Sequence, residues 1–393
     1  LEKGAHFVLD AACELGDETR AGLDYKDLPR DVDVGSVLLL DDGKIVLDVT
    51  AVRGEEVQTR VRHGGVLSNN KGINRQGGGL TAPALTAKDM EDIKTAAKLQ
   101  CDYLAVSFPK SGADMYMARE LMRAGGGKAF LIAKIERAEA VTEPALVDIM
   151  KACDGIMVAR GDLAVEVGDA SVPALQKKMI RLAREQNKIT ITATQMMESM
   201  IDSPVPTRAE VSDVANAVLD GTDAVMLSAE SASGKYPVEA IEAMDRICIE
   251  AEQTQPVTLE QDFLNRVFTR VDQSIAMAGL FTAYHLKVKA IATLTESGST
   301  ALWMSRLNCG VPIYALTSQT ATRYRCALLR DVYPLMMKYV GTDREELLRE
   351  AETVLVQSGV VKDGDLIVLT IGEPIGKAGG TNTMKIVRVG EYR

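Results

Sequence analysis

A chain of 393 residues with 46% hydrophobic and 25% charged side chains has room for two or three ordinary globular domains. Its formal net charge of −10 and 4% aromatic content, with a single Trp303, exclude a general nucleic-acid or anionic-membrane binder and a stacking platform for single strands. No apolar run approaches the roughly 20 residues of a membrane span and no signal peptide is visible. Three histidines (His6, His63, His285) argue against a His-rich metal site or a Ser-His-Asp triad, and six scattered cysteines without CxxC spacing read as free thiols of a reducing compartment; a cytoplasmic enzyme is expected.

In chain order, residues 1–83 read as a small all-β module. LEKGAHFVLDAA lacks an initiator Met and already alternates like a strand, as if the first residue were the middle of something. VGSVLLLDDGKIVLDVTAV reads as strand, Asp42-Gly43 turn, strand, and VQTRVRHGG continues the alternation as far as the glycine-rich SNNKGINRQGGGL.

Residues 84–255 change to short apolar runs separated by helix-period segments. The expected strands are YLAVSF (103–108), FLIAKIE (130–136), GIMVARG (155–161), ITITATQ (189–195) and AVMLSAE (224–230). The intervening AKDMEDIKTAAKL, SVPALQKKMIRLAREQN and VSDVANAVLD have helical spacing. Continuous apolar strands with a crossover helix each time predict a parallel sheet covered on both faces. Polar residues recur at the C-terminal strand ends: Ser107, Lys134, Glu136, Arg160, Asp162, Thr194, Ser228 and Glu230. Barrels and open α/β sheets both place their active sites there. A closed (β/α)8 TIM barrel needs three more strands than these, and the abrupt start favours a barrel whose first strands lie upstream over an open sheet. After the linker EQTQPVT, residues 256–393 read as a separate α/β domain: helix SIAMAGLFTAYHL, strand KAIATLT, loop ESGST, helix ALWMSRLN, strand VPIYALT, and strands DLIVLTIG and TMKIVRVG.

In IAKIE, Lys134 and Glu136 share one face of a strand while Ile135 points away. The pair suits either a salt bridge inside the barrel or an anionic substrate held with a divalent metal. In GIMVARGD, Gly161 lets a ligand approach the backbone and Asp162 adds a hard oxygen for Mg²⁺ or Mn²⁺; Arg160 is a substrate anchor or a brace for a neighbouring acid. Thr194 offers a hydroxyl to a carboxylate or a proton relay, or simply opens the next helix. In TESGSTALW, a strand, a Ser/Thr/Gly turn and a helix suit either a phosphate site or an ordinary helix cap.

Taken together, LSNNKGIN (67–74), DYLAVSFPK (102–110), IAKIERAEA (132–140), DGIMVARGDL (154–163), TATQMMESM (192–200), PTRAEVSDVANAVLDGTDAVMLSAES (206–231) and GKYP (234–237) resemble pyruvate kinase, in particular the bacterial type activated by AMP or a sugar phosphate. The resemblance implies a TIM barrel with an inserted β-barrel lid (1–83), the barrel's C-terminal portion (84–255) and an α/β regulatory domain (256–393). It implies phosphoenolpyruvate and ADP as substrates, pyruvate and ATP as products, Mg²⁺ or Mn²⁺ on Glu136 and Asp162, and Lys134 stabilising phosphoryl transfer and the enolate. Gly161, Asp162 and Thr194, with Ser107 and Arg160 at neighbouring strand ends, would hold the substrate, Thr194 would also relay a proton, and Lys71 would reach over the phosphates from the lid. Thr295, Ser297, Ser299 and Thr300 would hold the effector, the loop GKAGGTNT (376–383) would close over it, and the assembly would be a homotetramer without nucleic acid or membrane partners.

The family's Asn-Phe-Ser-His-Gly and Asp-x-x-Gly-Pro-Lys-Ile-Arg segments are not among these residues, so a truncated or incomplete copy is expected, with K⁺ use possible but its ligands elsewhere. Ala164 stands where the family usually has glycine. A metal-dependent pyruvate lyase or aldolase is the competing enzyme class, which the lid-like residues 1–83 count against; a degenerate sugar-phosphate sensor is the non-enzyme alternative, which Lys134, Glu136 and Asp162 count against.

Overall fold

A computed structural model describes residues 1–254, 267–338, 343–376 and 379–391. Residues 255–258 of the expected linker, and Lys377 and Ala378 of the 376–383 loop, lie outside the described residues. The chain divides into two compact units: Leu1–Ala183 with Thr190–Asp213 and Val225–Ala243, and Arg184–Ile189 with Val214–Ala224 and Met244–Arg393.

In the first unit, the N-terminal strands are β1 (His6–Asp10), β2 (Arg20–Gly22), β3 (Val37–Leu40), β4 (Ile45–Arg53), β5 (Glu56–His63) and β6 (Ile73–Arg75). They form one sheet in the order β2-β1-β5-β4-β3-β6. The expected hairpin is β3 and β4, closed at the Leu40–Ile45 pair. Its turn runs through left-handed Asp41 (φ 49°), Asp42 (φ 57°) and Gly43 (φ 82°), a conformation that short polar side chains and glycine tolerate. Alternation sends Phe7, Leu9, Leu38, Leu47, Val57 and Val61 into one shared core.

The parallel strands are β7 (Tyr103–Val106), β8 (Phe130–Ile135), β9 (Gly155–Ala159), β10 (Ile189–Ala193) and β11 (Ala224–Met226). They lie side by side in chain order, and β8 is parallel to both β7 and β9, as repeated right-handed βα units require. Every residue of β9 is buried. The crossover helices, among them Gly112–Ala124, Glu143–Ala152 and Val172–Glu185, supply Met115, Leu146, Ile149 and Met179 to the core around Leu131, Ile135 and Val158.

All five strands stop earlier than the sequence pattern predicts: β7 at Val106, β8 at Ile135 and β10 at Ala193, while the other two give way to helix. Residues 155–161 were expected to be one strand, but β9 ends at Ala159 and Arg160 opens a helix, Arg160–Val167. Residues 224–230 likewise leave the strand at Met226, and Ala229–Ala232 is a single helical turn. Short apolar runs such as Leu163–Ala164–Val165 fit a buried strand and a buried helix equally well, so periodicity alone does not locate the switch.

The second unit contains β12 (Ala290–Leu294), β13 (Ile313–Thr317), β14 (Val332–Met336), β15 (Leu366–Gly372) and β16 (Thr381–Arg388) in the order β14-β13-β12-β15-β16. All pairings are parallel except β15 with β16. The sequence pattern did not single out β14 or the helix Arg344–Gln357. Pro334 argues against a strand, and it is accommodated because β14 lies at the sheet edge.

A buried arginine explains why residues 184–189 and 214–224 cluster with the C-terminal unit. Arg306, 2% exposed, donates to Lys188 O at 2.7 Å and to Asp223 Oδ2 at 2.9 Å, with a second contact to Asp223 Oδ1. Arg330 N also donates to Asp223, at 3.0 Å. One guanidinium thus joins Lys188 and Asp223 to the C-terminal part of the second unit. Arg306→Ala takes the guanidinium from the buried Asp223 carboxylate and is expected to cost about 3–5 kcal/mol. Urea unfolding of the variant measures this; a loss below 1 kcal/mol is incompatible with the network described.

Candidate active site

At the C-terminal end of β8, the Lys134 ammonium stands 2.7 Å from Glu136 Oε1 and donates to Ser107 Oγ at 3.0 Å. Glu136 is completely buried. Its Oε2 accepts from Phe108 N at 2.8 Å, whereas Oε1 touches the ammonium but accepts no aligned hydrogen bond. Burial raises the Glu136 pKa, with Lys134 and the Phe108 amide pulling the other way.

The helix Arg160–Val167 follows the next strand, and its first turn presents amides without helical partners. Gly161 N donates to Thr194 Oγ1 at 2.7 Å. Asp162, in the same turn, is half-buried and its carboxylate accepts no hydrogen bond among the described residues. Burial raises its pKa first, the Asp42 charge second, and Lys134 opposes both.

Thr194 (φ 68°) and Gln195 (φ 52°) are both left-handed. For β-branched threonine this is a true outlier, costing on the order of 1–3 kcal/mol, and such strain gathers at functional sites. Arg160 holds it in place. Its Nη2 donates to Thr194 O at 2.8 Å and to Gln195 O at 3.3 Å, while Nη1 meets Asp213 at 2.7 Å. The guanidinium is thus committed to bracing the Thr194 turn.

Gly161 has an instructive environment. Its φ lies outside the left-handed region, and a Cβ there would meet Thr194 Oγ1 at 3.4 Å, an ordinary contact. Neither conformation nor protein packing requires glycine here, and the residue has an open side.

The β module reaches these residues. A cavity of about 530 Å³ is lined by Gly72 and Asn74 of the module together with Ser107, Phe108, Asp162 and Glu166. Lys71 is not drawn to the Lys134 cluster: its ammonium is 2.7 Å from Asp41, which raises its pKa. Of the expected site residues, Lys134, Glu136 and Ser107 touch one another, and Gly161, Thr194 and Arg160 touch one another. Asp162 is linked to both groups, through the Lys134 and Glu136 charges on one side and the shared helix turn on the other.

In the second unit, Thr295, Ser299 and Thr300 line a small cavity of about 60 Å³ with Thr317, Ser318 and Gly379. Ser297 is exposed and donates to Ser299 Oγ at 3.1 Å, without lining that cavity. Thr295 Oγ1 accepts from Gly298 N at 2.8 Å, and the Thr300 hydroxyl is shared with Thr381 Oγ1 at 2.8 Å. Gly298 is required here, being left-handed at φ +83° with Cys326 Sγ 2.7 Å from where a Cβ would stand.

No group of three or more His, Cys, Asp or Glu side chains able to hold a metal occurs among the described residues. Glu136 and Asp162 nevertheless suit a hard divalent cation: two carboxylates, one with a buried oxygen lacking a hydrogen bond and one with no hydrogen bond at all. Mg²⁺ takes one or two carboxylates and fills its remaining positions with water and substrate oxygens. Sequence reasoning missed three residues at this site. Asp42 was read only as a turn residue, and Asn74 and Glu166 were not singled out; the one available signal was Glu166 standing four residues after Asp162, one helical turn along.

A family model described as pyruvate kinase, barrel domain, matches residues 1–241, and one described as pyruvate kinase, alpha/beta domain, matches residues 273–387. The chain is 50% identical over 389 residues to a pyruvate kinase of Buchnera aphidicola subsp. Schizaphis graminum, covering 98% of this chain and 80% of that protein. It is likewise 50% identical over 393 residues to a protein named pyruvate kinase II from Salmonella typhimurium, covering 99% and 82%. A pyruvate kinase of Haemophilus influenzae is 50% identical over 378 residues, covering 95% and 78%.

The vacant side of Gly161 generates a test. Gly161→Ala is expected to melt within a degree or two of the parent, because its methyl meets only an ordinary contact, yet to raise the KM for the anionic substrate roughly tenfold or more by occupying that space. A variant with unchanged KM refutes the ligand assignment for this residue.

Proposed function

The chain belongs to the pyruvate kinase family and is a phosphotransferase, and we propose that it transfers the phosphoryl group of phosphoenolpyruvate to ADP, giving pyruvate and ATP, at the Lys134–Glu136–Asp162 cluster. The observation that carries the residue assignment is Glu136: a fully buried carboxylate with one oxygen touched by Lys134 and otherwise without a hydrogen bond. Such a group is costly unless charges compensate it, as Lys134 does in part and a divalent cation would further.

Bound by Glu136 and Asp162, Mg²⁺ or Mn²⁺ would neutralise charge on the substrate's phosphoryl and enol oxygens. The protein's own part is positioning and electrostatics, as in phosphoryl transfer generally. The Gly161 amide region and the Thr194 hydroxyl fix the substrate carboxylate. Lys134, steadied by Ser107 and Glu136, faces the bond between phosphorus and the enol oxygen. As that bond breaks and a β-phosphate oxygen of ADP bonds to phosphorus, the electron pair left on the enol oxygen meets the ammonium.

The enolate carbon must then take a proton. Thr194 Oγ1 already accepts from Gly161 N; with its O–H turned to the substrate carboxylate, its remaining lone pair orders a water that delivers the proton. The β module acts as a lid that excludes bulk water from the phosphoryl group, with Lys71 leaving Asp41 to meet the nucleotide phosphates. The turn Thr295–Thr300 takes a phosphorylated sugar or AMP as activator, through hydroxyls and backbone amides. A cytoplasmic homotetramer and use of K⁺ belong to the same reading.

The test is a coupled assay with phosphoenolpyruvate, ADP and Mg²⁺, repeated with a panel of sugar phosphates and AMP. Pyruvate is expected, and Lys134→Met is expected to lower kcat by about 10²–10³-fold, the usual loss of a transition-state charge donor. Absence of pyruvate, or an unchanged kcat in that variant, rejects the proposal. Thr194→Val addresses the proton step separately: ketonisation of added enolpyruvate should slow by about 10²-fold or more, and a normal rate removes Thr194 from the relay.

A further inference from the structure

We propose that Glu166 is a positioning residue whose single carboxylate sets the spacing of the two metal-binding segments and ties that spacing to the β module. The inference rests on the assignment of Glu136 and Asp162 above. Glu166 is 5% exposed and lies one helical turn after Asp162 on the helix Arg160–Val167, so the two side chains share a face. Its Oε2 accepts from Ala138 N at 2.8 Å, two residues beyond Glu136. Its Oε1 accepts from the Asn74 side-chain amide on β6 at 3.4 Å, and its backbone oxygen accepts from Gly77 N at 2.9 Å.

Three pieces of chain therefore meet at one side chain: the loop carrying Glu136, the helix carrying Asp162, and the return strand of the module. Neighbouring contacts run between the same pieces. Gly79 N donates to Glu139 Oε1 at 2.6 Å, and Arg137 donates to Leu80 O at 3.1 Å and to Ala82 O at 3.2 Å. Glu166 differs from these in reaching all three pieces at once.

A carboxylate suits this place because it only accepts, through two oxygens pointing to different donors. Glutamine of the same shape would present an amide to one of them, Ala138 N–H or the Asn74 amide. The helix would then be free to drift relative to the Glu136 loop, and Asp162 with it. Side chains that orient metal ligands from behind typically change metal affinity by roughly 10–100-fold when replaced. The module is held through the other oxygen of the same carboxylate, so one side chain serves both the ligand spacing and the hold on the module.

The experiment compares the purified protein with Glu166→Gln and Asn74→Leu by two readouts independent of turnover: Mn²⁺ binding followed by electron paramagnetic resonance of the free ion, and the rate of tryptic cleavage at Lys71 and Arg75. Glu166→Gln is expected to weaken Mn²⁺ binding by about 10–100-fold and to speed cleavage severalfold. Asn74→Leu keeps the Glu166–Ala138 bond and is expected to speed cleavage while changing Mn²⁺ affinity by no more than about threefold. Wild-type Mn²⁺ affinity or wild-type cleavage in Glu166→Gln overturns the proposal. Should that variant not fold, unchanged cleavage in Asn74→Leu overturns it. Failure of the parent itself to bind Mn²⁺ would instead reject the metal assignment, and the cleavage rates would still report the tether.

Discussion

The site depends on keeping one carboxylate wholly out of water without fully satisfying it. Glu136 has no exposure, one hydrogen bond from Phe108 N, one ammonium contact, and an oxygen with nothing else to accept from. An ionised group in that position is tolerated only when its surroundings cannot rearrange to relieve it. The rigidity comes from β8 and the fully buried β9, fixed in register through the Ile135–Val158 pair. The core beneath them is the scaffold that makes an under-satisfied carboxylate possible.

The same economy governs the turn after β10. A left-handed threonine does not persist on its own preference. Arg160 closes three contacts around it, to Thr194 O, Gln195 O and Asp213, and Gly161 N adds a fourth through the hydroxyl. The arginine of the Arg-Gly-Asp triplet therefore works through threonine, while glycine leaves room and aspartate leaves an open carboxylate. Three adjacent residues have separate duties because the chain changes from strand to helix between Ala159 and Arg160, turning successive side chains in different directions.

The parallel sheet and the β3–β4 hairpin could be read from sequence because both rest on local signals: apolar β-branched runs bounded by polar strand ends, and an Asp-Gly turn between alternating strands. The helix at Arg160 could not, since the residues after it suit either period. β14 was hidden by Pro334, which only an edge position permits. Within the site, Lys134 and Glu136 announced their shared face by spacing of two. The left-handed state of Thr194 and the three-way contact of Glu166 arise from residues 28 to 92 positions apart, and no local pattern encodes them.

Electrostatics shows what this arrangement costs when no cation is bound. Burial raises the pKa of both Glu136 and Asp162, with the Asp42 charge adding to the latter. A carboxyl group raised in the folded state contributes stability that is fully present below its unfolded pKa and is lost as pH rises through the folded value. Ionising either group therefore weighs against folding. On the proposed reading, a divalent cation would reverse that balance by binding the ionised form. The position of the β module enters the same balance through Asp42: moving that turn away from Asp162 removes a repulsion, and a bound cation converts it into an attraction. On the proposed reading, a cation at Glu136 and Asp162 would sense the position of the β module through the Asp42 charge.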